Sequence, residues 1–585
     1  MKVFETYIDN SLFDLLEQSR ELPLEKINLK FKSICGINAF FETQFEFRNF
    51  LEIIKNDKSI KDNSNRIEYG DFQTNLDLSN EICLLLKKQN ITPEVIIEPT
   101  CGTGSFIISC LNTFKDIKYI FAGEIYKPYV WATKFAILNF YLVNQVANKP
   151  EITIEHYNIF NYQFNDLSKK FKNRKILIIG NPPWVTNSKL SVLDSGNLPK
   201  KSNFKNHTGL DAITGKGNFD IGEFISLKLI NEFSKLSGYF AFLVKNSVVK
   251  NILLEQKRVN YSIANIRQYD IDAKKEFNVS VNASLFTCSL NQQAEYDINE
   301  YDFYSRKFIR KYGWLNDKFV SDIELYLKSK NIEGAFPFIW RQGVKHDASK
   351  IMELEKINGC YINNNKETVE IESDLVFPLL KSSDLKDSIV EVSRKFIIIT
   401  QEKIGQDTSY ISTEFPNTYR YLQKNIKYFD KRESSIYRGK PPFSIFGIGD
   451  YSFKPYKVAI SGMYKKTLFT IVKPSANKPI LLDDTCYFIG FDNFIEAAIT
   501  AYLLNTSIVQ SFIKSIAFRD AKRMITKELL MRINLNEVVK NTDYDELEKK
   551  IKDISIDDWK NYKTKLLSID FNNNRQLNVF ENSTQ

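Results

Sequence analysis

The segment KILIIGNPPWVTNS, residues 175–188, ends an apolar run in a stiff polar turn. Pro182 forces Asn181 into an extended backbone, and Pro182 and Pro183 fix two φ angles. Such a turn can present the Asn181 side-chain oxygen and the Pro182 carbonyl as two preset acceptors, which suit the two hydrogens of an exocyclic amino group. Trp184 adds an apolar face on which a planar ring can stack. The turn is therefore a candidate site for chemistry on a ring amine, and the alternative is an ordinary strand-ending turn with a core Trp.

A glycine-rich loop precedes this turn in VIIEPTCGTGSFIISCL, residues 95–111. The pattern predicts a buried strand, a turn and a helix that begins near Ser105. Gly102 and Gly104 let the backbone pass close to a ligand, and the helix N-terminus offers free N–H groups. The loop is neither a P-loop nor a complete GxGxxG. Glu124 ends the next predicted strand about 20 residues later, where a carboxylate binds ribose hydroxyls in nucleotide-binding α/β folds. Together these features favour a nucleoside-containing ligand.

Strand-like and helical runs alternate through residues 61–300, and the fold that they form must position the glycine-rich loop and the Asn181 turn. The strand-like runs are EVIIEP, YIFAGEI, ITIEHYNI, KILIIGNPP, GYFAFLVKNS, IRQYDI and ASLFTCSL. This rhythm predicts an α/β fold with a Rossmann-like, doubly wound sheet. Residues 1–60 are predicted as a helical N-terminal extension. Residues 301–540, with short aromatic strands and Gly and Pro turns, are predicted as a mixed α+β domain, and residues 541–585 as a charged helical tail.

Composition narrows the class of protein. The chain has 585 residues, of which 43% are hydrophobic and 14% aromatic, so it has ample apolar residues for several globular cores. Its seven cysteines form no CxxC pair and it has three histidines, which predicts no metal site and reduced thiols. Neither a signal-peptide core nor an apolar run of membrane-spanning length is present, so we expect a cytoplasmic protein that does not contact a membrane.

The positive charge is concentrated late in the chain. The net charge is +9, and residues 401–540 alone hold 21 Lys and Arg against 13 Asp and Glu. A basic region with interleaved aromatics is typical of a surface that binds a polyanion, although a merely solvated surface is the alternative.

Seven short motifs resemble, in order and spacing, the S-adenosylmethionine-dependent adenine-N6 DNA methyltransferases of bacterial type II restriction–modification systems. The resemblance covers roughly residues 66–290. The motifs are YGDFQTNLDLSNEI (69–82), EPTCGTGSF (98–106), GEI (123–125), NIF (158–160), GNPPW (180–184), GNFDIGEFI (217–225) and FNVSVNASLF (277–286).

The resemblance implies S-adenosylmethionine as cofactor and a set of residues that bind it. Phe72 and Thr74 would seat its methionine end, Glu98 and Gly102 would line its amino-acid portion, and Glu124 would hold the ribose. Asn158 stands where the family usually has an Asp that touches the cofactor adenine, with Ile159 or Phe160 packing on the ring. The remaining cofactor-binding residues implied are Pro99, Gly104, Ile125 and Asn181.

The same resemblance implies the reaction. A target adenine leaves the DNA stack, Asn181 and Pro182 orient its amine, and Phe277 sandwiches the flipped base against Trp184. Neither a metal nor a covalent enzyme intermediate is implied. RNA or protein-glutamine amino-methylation and cytosine-N4 methylation remain as alternatives, with Asn181 rather than Ser favouring adenine. A non-catalytic DNA-binding protein on the same fold is a further alternative.

The later half resembles the target recognition domains of these enzymes, with double-stranded DNA as partner. Because no metal-nuclease motif is present, we expect a modification enzyme whose cognate restriction endonuclease is a separate protein. We expect a monomer, because methylating one strand of a site at a time does not require two-fold symmetry. The candidate DNA-binding residues are Arg432, Arg438, Lys440, Arg519, Lys522 and Arg523, with Arg341 and His346 as weaker ones.

Overall fold

The chain folds as two compact units, Met1–Phe319 and Val320–Gln585. The computed structural model describes residues 10–55, 72–144, 146, 149–186, 220–463, 466–518, 523–551 and 554–569. No helix within these ranges is long and apolar enough to cross a membrane.

The first unit is built on a ten-stranded mixed sheet. Its strands are β1 (Val95–Glu98), β2 (Tyr119–Glu124), β3 (Glu151–His156), β4 (Ile176–Gly180), β5 (Gly238–Lys245), β6 (Ile263–Ile271), β7 (Ala283–Leu290), β8 (Asp297–Asp302), β9 (Phe308–Leu315) and β10 (Lys318–Val320). Their order across the sheet is β10-β9-β8-β6-β7-β5-β4-β1-β2-β3. Strands β3, β2, β1, β4 and β5 run parallel, and β7 pairs antiparallel with both β5 and β6.

The seven predicted strand-like runs correspond to β1 through β7, so the predicted doubly wound α/β fold is confirmed. The sheet reverses its order at β1, which has β2 on one side and β4 on the other. Ligands of open α/β sheets bind outside the carboxyl ends of the strands at such a switch point. The glycine-rich loop directly follows β1, and the Asn181 turn directly follows β4.

Ten helices are described in the first unit: α1 (Asn10–Gln18), α2 (Leu24–Cys35), α3 (Gln44–Lys55), α4 (Leu76–Lys88), α5 (Ser105–Thr113), α6 (Lys127–Asn144), α7 (Asn165–Lys170), α8 (Ile221–Phe233), α9 (Asn246–Val259) and α10 (Ala273–Phe277). The predicted N-terminal extension supplies α1 to α3, which share one apolar core with α6. Lys134 of α6 donates a hydrogen bond to the Phe40 carbonyl (2.8 Å), which ties this extension to the sheet's helical layer.

The predicted domain boundary at residue 300 falls inside β8. Strand β8 pairs in parallel with β6 and antiparallel with β9, so this hairpin continues the first sheet. The boundary between the two compact units therefore lies after Phe319, later in the chain than the boundary predicted from the sequence.

The described residues of the second unit form two smaller sheets with helices, which agrees with the predicted mixed α+β class. Its strands are β11 (Arg341–Gln342), β12 (Glu353–Ile357), β13 (Cys360–Asn363), β14 (Thr368–Val369), β15 (Val376–Leu380), β16 (Ile389–Val390), β17 (Lys395–Ile398), β18 (Tyr456–Ser461), β19 (Thr470–Val472), β20 (Leu481–Leu482) and β21 (Cys486–Phe491). One sheet has the order β14-β13-β12-β17-β15-β20 and the other β11-β21-β18-β19-β16.

The described helices of the second unit include its predicted tail. They are α11 (Ile323–Ser329), α12 (Ser349–Met352), α13 (Ile411–Glu414), α14 (Pro416–Lys424), α15 (Ile426–Asp430), α16 (Phe494–Leu504), α17 (Ser507–Ile516), α18 (Lys527–Leu530), α19 (Leu535–Lys540), α20 (Tyr544–Lys550) and α21 (Ile556–Leu567). Tyr562 of α21 is buried and its hydroxyl lies 2.7 Å from the Thr500 hydroxyl of α16. The tail helix therefore packs into the second unit.

Candidate active site

The Asn181 turn leaves the centre of the sheet at the end of β4. All five residues of β4 are buried, as expected for a strand covered on both faces. Gly180, the last of them, lies so close to β1 that a Cβ atom there would be 3.7 Å from Glu98 Cγ and 3.9 Å from Thr100 Oγ1. The Asn181 turn and the first residues of the glycine-rich loop are therefore neighbours in space.

The two ends of the Asn181 amide have different surroundings. Its Nδ2 donates to the Phe72 carbonyl (2.8 Å) and to Thr74 Oγ1 (3.2 Å). Its Oδ1 is buried and accepts no hydrogen bond from any described residue. A buried acceptor without a partner is costly, so this oxygen marks a place where a donor from a ligand would be stabilised.

Two further buried oxygens belong to residues at the end of β1 and in the loop after it, which lie next to Gly180. Within the described residues, neither Glu98 Oε2 nor Thr100 Oγ1 accepts or donates a hydrogen bond. Glu98 is almost completely buried, and burial raises its carboxyl pKa well above the usual value, with the nearby Cys83 and Glu124 adding to the rise. The sequence analysis did not single out Thr100, although it lies inside the EPTCGTGSF motif.

The glycine-rich loop has the backbone that its sequence predicts. Gly102 and Gly104 have φ angles of +54° and +86°, which residues with a Cβ rarely adopt. The loop is also tied to residue 73, which the sequence analysis missed. Gln73 Oε1 accepts hydrogen bonds from the Thr103 amide (3.0 Å) and hydroxyl (3.3 Å), and a Cβ atom at Gly102 would lie 2.3 Å from this oxygen.

Glu124, predicted to hold a ribose, lies at the carboxyl end of β2 and connects the second strand to this loop. Its Oε2 accepts from the Gly102 amide (3.0 Å) and its Oε1 from the Tyr126 amide (2.8 Å). Beside it, Ile125 is partly exposed. Pro99 is held from the other side, because its carbonyl accepts from the Tyr157 hydroxyl (3.0 Å).

The segment after β3 carries the predicted adenine-binding residues. Asn158 Oδ1 accepts from the Phe160 amide (2.9 Å), which folds the segment into a turn. Lys228 of α8 donates to the carbonyls of Ile159 (2.8 Å) and Tyr162 (2.7 Å). Burial lowers the Lys228 pKa, and the carbonyls compensate for its lost hydration. This segment is therefore fixed by a lysine that the sequence did not indicate.

The Asn181 turn is also supported by the start of α8. Asp220 caps this helix by accepting from the Gly222 amide (2.9 Å), and its other oxygen pairs with Lys245 at the end of β5. A Cβ at Gly222 would lie 3.6 Å from Pro182 Cγ. The Ile221 amide donates to the Val185 carbonyl (2.9 Å). Asp220 and Lys245 were not predicted from sequence, although an Asp before an apolar run is a helix-cap signal.

The three predicted aromatic residues are adjacent. Trp184 is 7% exposed, donates from Nε1 to the Leu243 carbonyl (3.2 Å), and has the ring of Phe72 at 5.6 Å. Phe277, at the end of α10, meets Trp184 edge to face with ring centroids 4.9 Å apart. Rings in direct contact leave no gap for a third ring, so the predicted sandwich of a base between them requires one ring to turn.

The predicted DNA-binding residues of the second unit differ in exposure. Arg438 and Lys440 are exposed on either side of Gly439. Arg432 is instead half-buried, donating to the Ser444 carbonyl (2.6 Å) with its guanidinium 3.7 Å from the centre of the Tyr437 ring.

The other predicted DNA contacts are engaged within the unit or lie outside the described residues. Arg523 bonds Asp484, and Arg341 lies over the Tyr451 ring at 4.6 Å. His346 is buried, with Nε2 3.5 Å from Glu353 Oε1, so it is placed inside the unit rather than on its surface. Arg519 and Lys522 lie outside the described residues.

Comparison with known proteins gives the same assignment as the motifs. The profile of the N-6 DNA methylase family matches residues 60–260. A type II methyltransferase of Nostoc sp., M.NspV, is 38% identical over 483 residues, which is 81% of this chain and 98% of the relative. The chain belongs to the N-6 DNA methylase family of type II methyltransferases. The predicted family resemblance is thus confirmed.

One solved structure with a TM-score above 0.5 supports the fold. The type IIL restriction–modification enzyme MmeI, solved in complex with DNA, matches 95% of this chain and 86% of its own at a TM-score of 0.52 and 13% identity. A modification subunit of a putative type I restriction enzyme from Vibrio vulnificus matches 45% of this chain and 53% of its own at a TM-score of 0.28 and 14% identity.

Proposed function

We propose that this DNA methyltransferase transfers a methyl group from S-adenosylmethionine to N6 of an adenine in a specific duplex sequence, and so protects the DNA from a separate restriction endonuclease. The observation that carries the proposal is the buried Asn181 Oδ1 at the carboxyl end of β4, which has no hydrogen-bond partner among the residues that the structure describes. An acceptor fixed at this place suits an amine hydrogen of a base that has left the helix.

The residues around the glycine-rich loop fit S-adenosylmethionine. Glu98 offers a buried carboxyl for the amino group of its methionine part, and Thr100 offers a hydroxyl beside it. Glu124 lies where ribose hydroxyls are bound in related sheets, and the segment 158–160 provides a wall for the adenine. When bound, this cofactor supplies a methyl group activated by a sulfonium centre.

The chain's own residues then hold and orient the amine. Asn181 Oδ1 and the Pro182 carbonyl accept its two hydrogens, which draws the nitrogen lone pair out of conjugation and directs it. Extrahelical placement of the base costs a few kcal/mol, which stacking on Trp184, Phe277 or Phe72 offsets. The chain contributes proximity and orientation, and the proton leaves the nitrogen readily after transfer. Asn at position 181 favours adenine over cytosine.

The second unit is proposed to read the target sequence. Its exposed Arg438 and Lys440 are suited to phosphate contact or base-edge readout. We propose that the chain acts as a monomer, because methylating one strand at a time requires no two-fold symmetry. We also propose that it acts on DNA in the cytoplasm.

Transfer of tritium from labelled S-adenosylmethionine to unmethylated genomic DNA, followed by nucleoside analysis, tests the proposal. We expect N6-methyladenine with the wild-type chain and its loss with Asn181→Ala. Asn144→Ala is the matched control, because the exposed Asn144 also donates to a backbone carbonyl (2.8 Å) but lies far along α6. N4-methylcytosine, or label in RNA or protein instead of DNA, would contradict the substrate assignment.

A further inference from the structure

A short strap, residues 72–75, contacts both the Asn181 turn and the glycine-rich loop of the candidate active site. Phe72 and Thr74 bond the Asn181 amide, and Gln73 bonds the glycine-rich loop. Asn75 caps helix α4 by accepting from the Leu78 amide (2.7 Å). The strap thus joins the candidate cofactor loop to the residue proposed to bind the amine, although it lies about a hundred residues earlier in the chain.

The position of the strap is set by rigid elements. Helix α4, which it begins, is bonded to α5 through the Ser79 and Ser109 hydroxyls, 2.7 Å apart and both buried. Helix α5 in turn begins at the glycine-rich loop. Thr74 is itself 8% exposed. Its hydroxyl is therefore held at a fixed place relative to the carboxyl ends of β1 and β4.

This arrangement determines which end of the Asn181 amide faces the site. Both strap acceptors lie on the Nδ2 side, so Oδ1 points away from them. A turned amide would bring Oδ1 against the Phe72 carbonyl, which cannot donate, and would present an NH2 group to the substrate amine. Two donors facing each other make no hydrogen bond, so only the observed orientation can bind the amine.

We infer that Thr74 is a positioning residue: the Phe72 carbonyl selects the orientation of the Asn181 amide, and the Thr74 hydroxyl, which can donate or accept, binds the same Nδ2 and so holds Oδ1 toward the reacting amine. This inference rests on the proposed function and goes beyond the role of seating the methionine end of the cofactor that the family resemblance implies for Thr74. The two roles have different kinetic consequences. A residue that only seats the cofactor changes cofactor affinity, whereas a residue that orients Asn181 changes kcat at saturating cofactor.

Thr74→Val and Thr74→Ser separate the two roles. Valine keeps the shape of threonine but removes the acceptor, and serine keeps the hydroxyl. We expect Thr74→Val to lower kcat roughly tenfold to a hundredfold, while the Kd of S-adenosylmethionine, measured by calorimetry without DNA, stays within about twofold. Thr74→Ser should restore most of kcat. Equal melting temperatures of the variants would show that the fold is kept.

Two results would overturn the inference. One is a Thr74→Val chain with unchanged kcat at saturating cofactor. The other is a Thr74→Val chain whose entire loss is a raised cofactor Kd, which would leave Thr74 as a cofactor seat alone. The comparison is made on whichever amine the wild-type chain methylates. Label in RNA or protein would therefore refute the proposed substrate and still test Thr74, and a wild-type chain that labels no amine contradicts both.

Discussion

At the scale of single residues, Glu98 holds an ionisable group at the centre of the candidate site. Its pKa is raised above the ordinary value of 4.5 by burial, then by Cys83 and Glu124, while the Ile107 amide acts in the opposite direction. The folded, ligand-free chain therefore binds the Glu98 proton more tightly than the unfolded chain does. The contribution of the protonated Glu98 carboxyl to the free energy of unfolding is complete below about pH 4.5 and is lost as the pH rises through the raised pKa.

Glu98→Gln tests this balance. A neutral amide of the same shape removes the cost of ionising a buried group, so the ligand-free variant should melt at a higher temperature than wild type, by a margin that grows as the pH rises above about 4.5. The variant cannot neutralise the cofactor ammonium, so its affinity for S-adenosylmethionine should fall roughly tenfold to a hundredfold. Melting curves at several pH values, with and without cofactor, measure both effects.

This prediction is specific because Glu98→Gln should raise the melting temperature of the ligand-free chain and lower its affinity for the cofactor. A variant that merely damages the fold would melt lower at every pH. A variant whose melting temperature rises with cofactor as much as that of wild type would show that Glu98 does not meet the ammonium. Calorimetry in buffers of different ionisation enthalpy gives an independent readout, since wild type should release a proton on binding that Glu98→Gln does not release.

Residue types in the two motifs were enough to propose several residues of this candidate site, but not the hydrogen bonds between them. Asn181, Gly102 and Glu124 were identified because their local chemistry is distinctive. Gln73 and Thr74 lie within a motif, yet their partners Thr103 and Asn181 are distant in the chain. A single sequence carries no direct record of such long-range pairs. The family resemblance predicted Trp184 and Phe277 on either side of a base, but not the direct contact of their rings.

At the scale of elements, the end of β2 requires a glycine at position 123, because a neighbouring ring fills the space that a side chain would need. The ring of Tyr157 lies against Gly123, where a Cβ atom would be 1.8 Å from the ring. The Tyr157 hydroxyl reaches the Pro99 carbonyl, so the same ring links the segment after β3 to the loop after β1. A glycine in a sheet interior at such a close approach is a packing requirement.

Gly123→Ala should therefore destabilise the first unit by about 1–3 kcal/mol, because the ring of Tyr157 must move. Urea denaturation followed by tryptophan fluorescence measures the change. Gly180→Ala is the matched control, since a Cβ at the end of β4 meets its nearest atoms at 3.5 Å or more. Equal stability of the two variants would refute the argument. Tyr157→Phe should cost less than Gly123→Ala, since it removes one hydrogen bond and keeps the ring.

Apolar runs predicted strands β1 to β7, but the extent of the sheet could not be predicted in the same way. Short polar-alternating strands such as β8, with its neighbour β9, carry a weak local signal. Their membership in the sheet follows from pairing with β6, a non-local fact. Likewise, helical spacing predicted α1 to α3, whereas their shared core with α6 depends on side-chain packing.

At the scale of the whole molecule, the basic excess of residues 401–540 overstates the charge available to DNA. Lys457 is completely buried, and burial lowers its pKa to about 7. Arg432 is half-buried against Tyr437 and donates to backbone carbonyls, and Arg523 is paired with Asp484. Composition counts these groups equally with exposed ones, so only the structure separates them.

Among the candidate DNA-binding residues that the structure describes, Arg438 and Lys440 are exposed, so loss of their charge should affect DNA binding most directly. If each contacts one phosphate, Arg438→Ala/Lys440→Ala should reduce the slope of log K against log salt by about 2. Lys549→Ala/Lys550→Ala removes the same charge from exposed positions of the tail helix α20 and is the matched control. Fluorescence anisotropy with duplex DNA at several salt concentrations, on the full chain, gives both slopes.

The comparison separates local contact from net charge. Long-range attraction between charges is screened beyond about 10 Å at 0.1 M salt. If Arg438 and Lys440 act only through net charge, their removal should change binding little at that salt, and the two double variants should behave alike. Equal slopes for the two variants would therefore remove Arg438 and Lys440 from the DNA interface. A reduced slope for the 438/440 variant with the same loss on target and non-target duplexes would assign them to phosphates, whereas a loss confined to the target duplex would assign them to base edges.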